Sequence, residues 1–253
     1  MNILDQIIAS KKREVALKKS IIPIKQLEQS VLFERKTSSL VHHLSNSSSG
    51  IIAEHKRRSP SKSVINQSNS VEEIVKGYEN GGASGISILT DNQYFGGSLD
   101  DLILARATTN LPLLRKDFMV DEFQIIEAKS CGADAILLIA AVLTREEIKQ
   151  FSKLAKSLNL EVLLEIHNQE ELNKSIMSSL DLIGVNNRNL HTFQLDLGQT
   201  EKIALELTKR GLRFHHDDDI SGGGGDATLA CSCEVCPEHI VSGVAVTVSG
   251  NGP

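Results

Sequence analysis

Two rhythms of apolar and polar positions alternate along most of this chain. Short, nearly continuous apolar runs occupy 50–56, 85–90, 113–118, 135–141, 161–166 and 182–187, each rich in Ile, Leu and Val. Between them lie longer stretches with helical periodicity at 70–80, 98–107, 121–130, 144–158, 169–180 and 197–210. Helix starts are signalled by Ser70-Val71-Glu72-Glu73 and Thr144-Arg145-Glu146-Glu147, where a hydroxyl cap is followed by early acids, and exits by Asn80-Gly81-Gly82 and Cys131-Gly132. Strands alternating with helices of this length predict parallel βαβ units. A run such as Ala135-Ile136-Leu137-Leu138-Ile139-Ala140-Ala141, apolar at successive positions, predicts a strand covered on both faces.

Polar residues gather where these runs end. In Ile52-Ala53-Glu54-His55-Lys56, strand alternation points Glu54 and Lys56 the same way, and Ser59-Pro60 turns the chain just beyond. The following ends carry Thr90-Asp91, Arg115-Lys116-Asp117, Glu165 and Asn186-Asn187-Arg188. In a parallel α/β fold the C-terminal ends of the strands face the ligand, so this chemistry is expected on one rim. A lysine in a strand as apolar as 113–118 needs an acid or an anionic ligand. Any one of these groups taken alone reads more readily as a structural ion pair; two lysines and two glutamates converging favour an acid/base site with shifted pKa values.

Composition narrows the class. With 253 residues, 40% hydrophobic and 23% charged, the chain has the size of an eight-unit α/β barrel. It contains no run of about 18 apolar residues, and the segment from Met1 to Arg13 reads as an amphipathic helix rather than a signal peptide. Four unevenly placed cysteines do not form a secreted disulfide framework, and a formal charge of −5 gives no argument for nucleic acid. The expectation is a soluble, cytoplasmic enzyme, a monomer, with neither nucleic acid nor membrane as partner.

Five segments, in order, resemble indole-3-glycerol phosphate synthase, the ring-closing enzyme of tryptophan biosynthesis. They are Ile52-Ala53-Glu54-His55-Lys56-Arg57-Arg58-Ser59-Pro60-Ser61, Leu89-Thr90-Asp91-Asn92-Gln93-Tyr94-Phe95-Gly96-Gly97-Ser98, Leu114-Arg115-Lys116-Asp117-Phe118, Glu165-Ile166-His167 and Gly184-Val185-Asn186-Asn187-Arg188-Asn189-Leu190. The resemblance covers residues 1 to about 200 and implies a (β/α)8 barrel (TIM barrel) of the α/β class, preceded by an N-terminal helical extension over 1–48, with barrel units one to six over 49–211. It implies ring closure, decarboxylation and dehydration of 1-(2-carboxyphenylamino)-1-deoxyribulose 5-phosphate, a small phosphorylated substrate. It makes Lys116 the general acid at the ketose carbonyl and Glu165 the acid/base for dehydration. Glu54 tunes charge, Lys56 meets an anion or carboxylate, Asn186 holds the hydroxyl or reacting centre, and Ser59 and Arg188 position the anionic ends of the substrate. No metal or organic cofactor is implied. A Schiff-base aldolase with Lys116 as nucleophile stays open beside this reading.

The pattern stops near residue 211. Residues 212–253 hold 7 of the 18 glycines, 3 of the 4 cysteines, one basic and six acidic residues, a net of −5 that equals the charge of the whole chain. The family's seventh and eighth strand ends, whose backbone amides bind the substrate phosphate, have no counterpart here. The segment reads as a frame-shifted or foreign end in place of units seven and eight, with a single late strand at 241–248 as the alternative. An inactive or unstable incomplete barrel is accordingly a further reading. The cluster Cys231-Ser232-Cys233-Glu234-Val235-Cys236-Pro237-Glu238-His239 has zinc-type donors, yet it lacks two separated ligand pairs and is read as unpaired thiols. His215-His216-Asp217-Asp218-Asp219 is read as a solvated charge run.

Overall fold

A computed structural model describes residues 2–47, 49–60, 62–66, 68–186, 202–203, 205–207, 213–214 and 243–247. Six strands, β1 (Ile52–His55), β2 (Gly85–Leu89), β3 (Leu113–Lys116), β4 (Ala135–Ile139), β5 (Glu161–Ile166) and β6 (Leu182–Asn186), pair in sequence order, each parallel to the next. Alternation along each strand splits the apolar residues into two layers. Ile86, Ile88, Ile136, Leu138, Val162, Leu164, Ile183 and Val185 join the outer core beneath the helices, whereas Leu114, Leu137, Ile139, Leu163 and Leu182 form a second, interior cluster. The strands are thus covered on both sides, and the sheet curls as a partial barrel around the smaller cluster. The expected α/β architecture of six strand-led units is present.

The helices follow their caps. In α4 (Val71–Asn80) and α7 (Arg145–Ser157) the hydroxyls of Ser70 and Thr144 accept from the N3 amides of Glu73 and Glu147, whose carboxylates bond back to the cap amides. α5 (Leu99–Thr108), α6 (Glu122–Ser130) and α8 (Gln169–Ser175) begin at Ser98, Asp121 and Asn168. The sequence predicts α8 through residue 180, but the helix stops at Ser175. Ile176 leaves helical geometry, and Asp181 ties the chain to β5, accepting from the Val162 amide and Lys156.

Residues 2–47 reach both ends of the sheet. α3 (Leu40–Asn46), preceded by α2 (Ile24–Glu28), seats Leu40 and Leu44 in the interior cluster. There Ser39 and the Val41 amide bond Glu161 at the start of β5. Gly85, opening β2, has no room for a side chain because Leu40 fills that space. α1 (Ile3–Ile21) runs well past Arg13, and its buried stripe is Ile7, Lys11 and Val15. Lys11 reaches the opposite end of the sheet, to Asp91 and Asp117 just beyond β2 and β3.

Beyond β6 the parallel order breaks. The helical residues 202–203 and 205–207 contribute Ile203 and Leu207 to the outer core, where the sequence predicts a helix over 197–210. Next in the sheet to β6 comes β8 (Gly243–Thr247), antiparallel to it, and β7 (Arg213–Phe214) pairs antiparallel with β8. The alternative of one late strand thus meets a strand, two residues inside 241–248 at its start and one at its end. Among the described residues β1 has β2 as its sole sheet neighbour. Residues 215–242, with the His-Asp run and the cysteine cluster, lie outside the described residues. Among those described, no helix is long and apolar enough to cross a membrane.

Candidate active site

The interior face of the sheet changes character along its length. Register places Glu54 beside Ser87, Leu89 beside Lys116, and Ile139 beside Glu165. Because Ile52, Leu114, Leu163 and Leu182 belong to the interior cluster, Glu54, Lys116, Glu165 and Asn186, each an even number of residues further on, point to that same side. Apolar packing thus gives way to charge as the strands reach their C-terminal ends.

Glu54 is the hub. Its Oε1 lies 2.6 Å from Lys56 Nζ and its Oε2 3.0 Å from Lys116 Nζ. Burial disfavours the Glu54 charge, but the two ammonium groups outweigh it and bring its pKa down to about 2. Burial likewise works against the Lys116 ammonium, and is outweighed by Glu54 and Glu165, so Lys116 is held protonated with its pKa raised. Across the interior, Asn186 Nδ2 donates to Glu165 Oε1 at 3.1 Å. Four strands therefore deliver an ammonium-carboxylate-ammonium cluster facing a carboxylate held by an amide. Glu54 pairs directly with the two lysines, and Lys116 is acted on by both Glu54 and Glu165.

The expected single rim of polar residues resolves into two layers, because alternate residues of one strand face opposite sides. Arg115 points away from Lys116 into the outer layer, buried against Asp117, Glu127, Thr90 and the Gln124 carbonyl. Thr90 and Asp117 share a 2.6 Å hydrogen bond there, and Asp91 accepts from the Tyr94 and Phe95 amides. Together with Lys11 these groups brace the turns after β2 and β3 and are not open to the interior.

The loop after β1 is fastened to the loop after β2. Arg57 clasps Asp101 with both terminal nitrogens, while Arg58 donates to the Asn92 and Gln93 carbonyls. Within it Ser59 makes a tight turn with Lys62, its hydroxyl accepting from the Lys62 amide at 3.1 Å. The Phe95 and Phe118 rings, 5.9 Å apart, stand at the same end of the sheet, and Phe118 packs on the interior cluster. Arg188, expected to hold an anionic end of the substrate, lies outside the described residues.

Two features escaped the sequence reading. His167 follows Glu165 on the same side of the chain, with Nε2 3.8 Å from Glu165 Oε1 and Nδ1 3.2 Å from Glu171 Oε2. The two-residue spacing in Glu165-Ile166-His167 was signal enough. Lys11, a charge inside an apolar helical stripe, carried a signal of the same kind.

Comparison with known proteins adds a second kind of observation. The profile of the family described as indole-3-glycerol phosphate synthase matches residues 4–213. An indole-3-glycerol phosphate synthase of Bacteroides thetaiotaomicron is 50% identical over 206 residues, spanning 81% of this chain and 79% of that one. Proteins of the same name from Bacillus cereus and Bacillus anthracis are 46% and 45% identical over 219 residues, in both cases 86% of this chain and 83% of the relative.

Proposed function

Because the chain belongs to the indole-3-glycerol phosphate synthase family, we propose that it closes the indole ring of 1-(2-carboxyphenylamino)-1-deoxyribulose 5-phosphate, releasing carbon dioxide and water in a step of tryptophan biosynthesis. The observation that carries the proposal is the Lys56–Glu54–Lys116 cluster opposite Glu165 and Asn186, at the end of the strands where a barrel enzyme binds its ligand. We take residues 1–48 as the family's N-terminal extension, 49–211 as units one to six of an eight-unit barrel, and 212–253 as an atypical replacement for the last two. On this reading the enzyme is a cytoplasmic monomer that uses no metal or organic cofactor.

Ring closure and dehydration each move protons, and the site offers an ammonium and a carboxylate for them. The aryl carbon bearing the carboxylate attacks the ketose carbonyl while the Lys116 ammonium gives its proton to the carbonyl oxygen. Loss of carbon dioxide restores the aromatic ring. Dehydration removes the new hydroxyl and one hydrogen from the adjacent chain carbon: Glu165 takes that proton and returns one to the hydroxyl, which leaves as water while Asn186 holds it. Glu54 binds both lysines and holds Lys116 protonated, and Lys56 meets the substrate carboxylate. Phe118 and Phe95 offer an apolar wall for the aryl ring, and Ser59 and Arg188 position the anionic ends.

A Schiff-base role for Lys116 has less support, since a nucleophilic amine must be neutral and Glu54 and Glu165 hold this one protonated. The reading as an impaired barrel is favoured by one observation. An antiparallel strand lies against β6, with Gly243 opposite Asn186, so a strand start stands where a seventh parallel strand would end in a phosphate-binding turn. Incubating the full chain with the substrate and following indole fluorescence tests the proposal. Product formation abolished by Lys116→Ala supports it; trapping of Lys116 with an aldehyde and borohydride would favour the aldolase instead.

A further inference from the structure

His167 lies between two carboxylates. It ends β5 by bonding Glu171 twice, through its amide at 2.8 Å and through Nδ1 at 3.2 Å. Glu171 is fixed in turn by the first turn of α8, accepting from the Asn168 side chain at 3.2 Å while its own amide donates back to Asn168 at 2.8 Å. With Nδ1 committed to Glu171, the other ring nitrogen is turned to Glu165, 3.8 Å from Oε1. That nitrogen is buried and makes no direct hydrogen bond among the described residues. The spacing exceeds a hydrogen bond but lies within one side-chain rotation of one, a looseness normal before substrate binds.

We propose that His167 is a positioning residue that shares one proton with Glu165, in a relay Glu171–His167–Glu165 that sets the protonation state in which Glu165 meets the dehydration step. The inference rests on the reading of Glu165 as the acid/base for that step. In one state His167 is imidazolium and Glu165 a carboxylate, ready to accept the substrate's proton. In the other the Nε2 proton has moved to Glu165, leaving a neutral imidazole and a carboxylic acid able to protonate the departing hydroxyl. The proton count of the pair is the same in both, so no outside reactant is needed. Among the described residues the charged groups acting on His167 are Glu171 and Glu165, while Asn186 and Lys116 act on Glu165 from β6 and β3. Burial opposes the imidazolium, but the Glu171 bond and the charges of both carboxylates outweigh it, so the histidine pKa is raised. The shared proton is therefore lost only as pH rises through a value above that of an ordinary histidine.

The test is the pH profile of kcat and KM for the full chain, His167→Asn and Glu171→Gln, with NMR titration of the His167 ring. His167→Asn is expected to lower kcat about tenfold, less than the loss of a group that itself transfers the proton, to leave KM within about twofold, and to remove the alkaline limb. Glu171→Gln should keep that limb but move it to lower pH, and the His167 titration should move down in both Glu171→Gln and Glu165→Gln. A kcat loss uniform across pH, or a His167 titration unmoved by Glu165→Gln, would overturn the relay. Glu165→Gln with near-full turnover withdraws the reading of Glu165 and the relay with it. A collapse in Glu165→Gln beside a wild-type profile in His167→Asn withdraws the relay alone.

Discussion

Lys11 Nζ lies 3.0 Å from Asp117 Oδ1, joining the middle of the first helix to the residue that follows Lys116. The same ammonium meets Asp91 at 3.0 Å and Glu14 at 2.9 Å, and is only 1% exposed. Its pKa is raised although burial opposes the charge, because three carboxylates surround it. Lys11→Met should therefore leave Asp91 and Asp117 buried without their shared cation and destabilise the fold by about 3–5 kcal/mol, the usual scale for breaking a buried pair from one side. Urea unfolding measures it, and a double variant with Asp117→Asn should recover part of the loss.

Stability should also respond to acid through Glu54. Its pKa is depressed to about 2, below the ordinary carboxylate value, so the ionised form is favoured by folding. That contribution is complete above the unfolded-state pKa of about 4.3 and is lost as pH falls through the folded value. Thermal unfolding of Glu54→Gln should show a shallower decline than the parent between those limits; an equal slope would mean that the clamp is weaker than its geometry implies.

The period of the sequence made the six strands and the shared direction of Glu54 and Lys56 legible, because alternation is a local property. Which partner each would meet was less legible, since that depends on register between strands distant in the chain. Arg115 illustrates the difference: it shares a strand end with Lys116, yet one step along the backbone sends it to the outer layer with Glu127. Lys11 required knowing that α1 lies across the ends of β2 and β3. The shorter α8 reflects competition from Asp181, recruited by β5 across a gap no helical propensity encodes.

Binding of the anionic substrate should depend on charge. Lys56→Ala and Arg188→Ala should each raise KM, and the KM of the parent should rise with salt as the pairing is screened. If the end after β6 fails to grip phosphate, inorganic phosphate will inhibit only weakly, and replacing 212–253 with a family-like ending will lower KM and strengthen that inhibition. A salt-independent KM would count against both residues as anion contacts.

The most direct measurement is steady-state turnover of Lys116→Ala and Glu165→Gln beside the parent chain, followed by indole fluorescence, with circular dichroism to verify that each variant is folded. If Lys116 protonates the carbonyl and Glu165 serves the dehydration, each substitution should lower kcat by at least about a hundredfold, the scale of a group that transfers a proton in the transition state. A folded Lys116→Ala or Glu165→Gln chain turning over at near the parent rate would contradict the assignment of that residue.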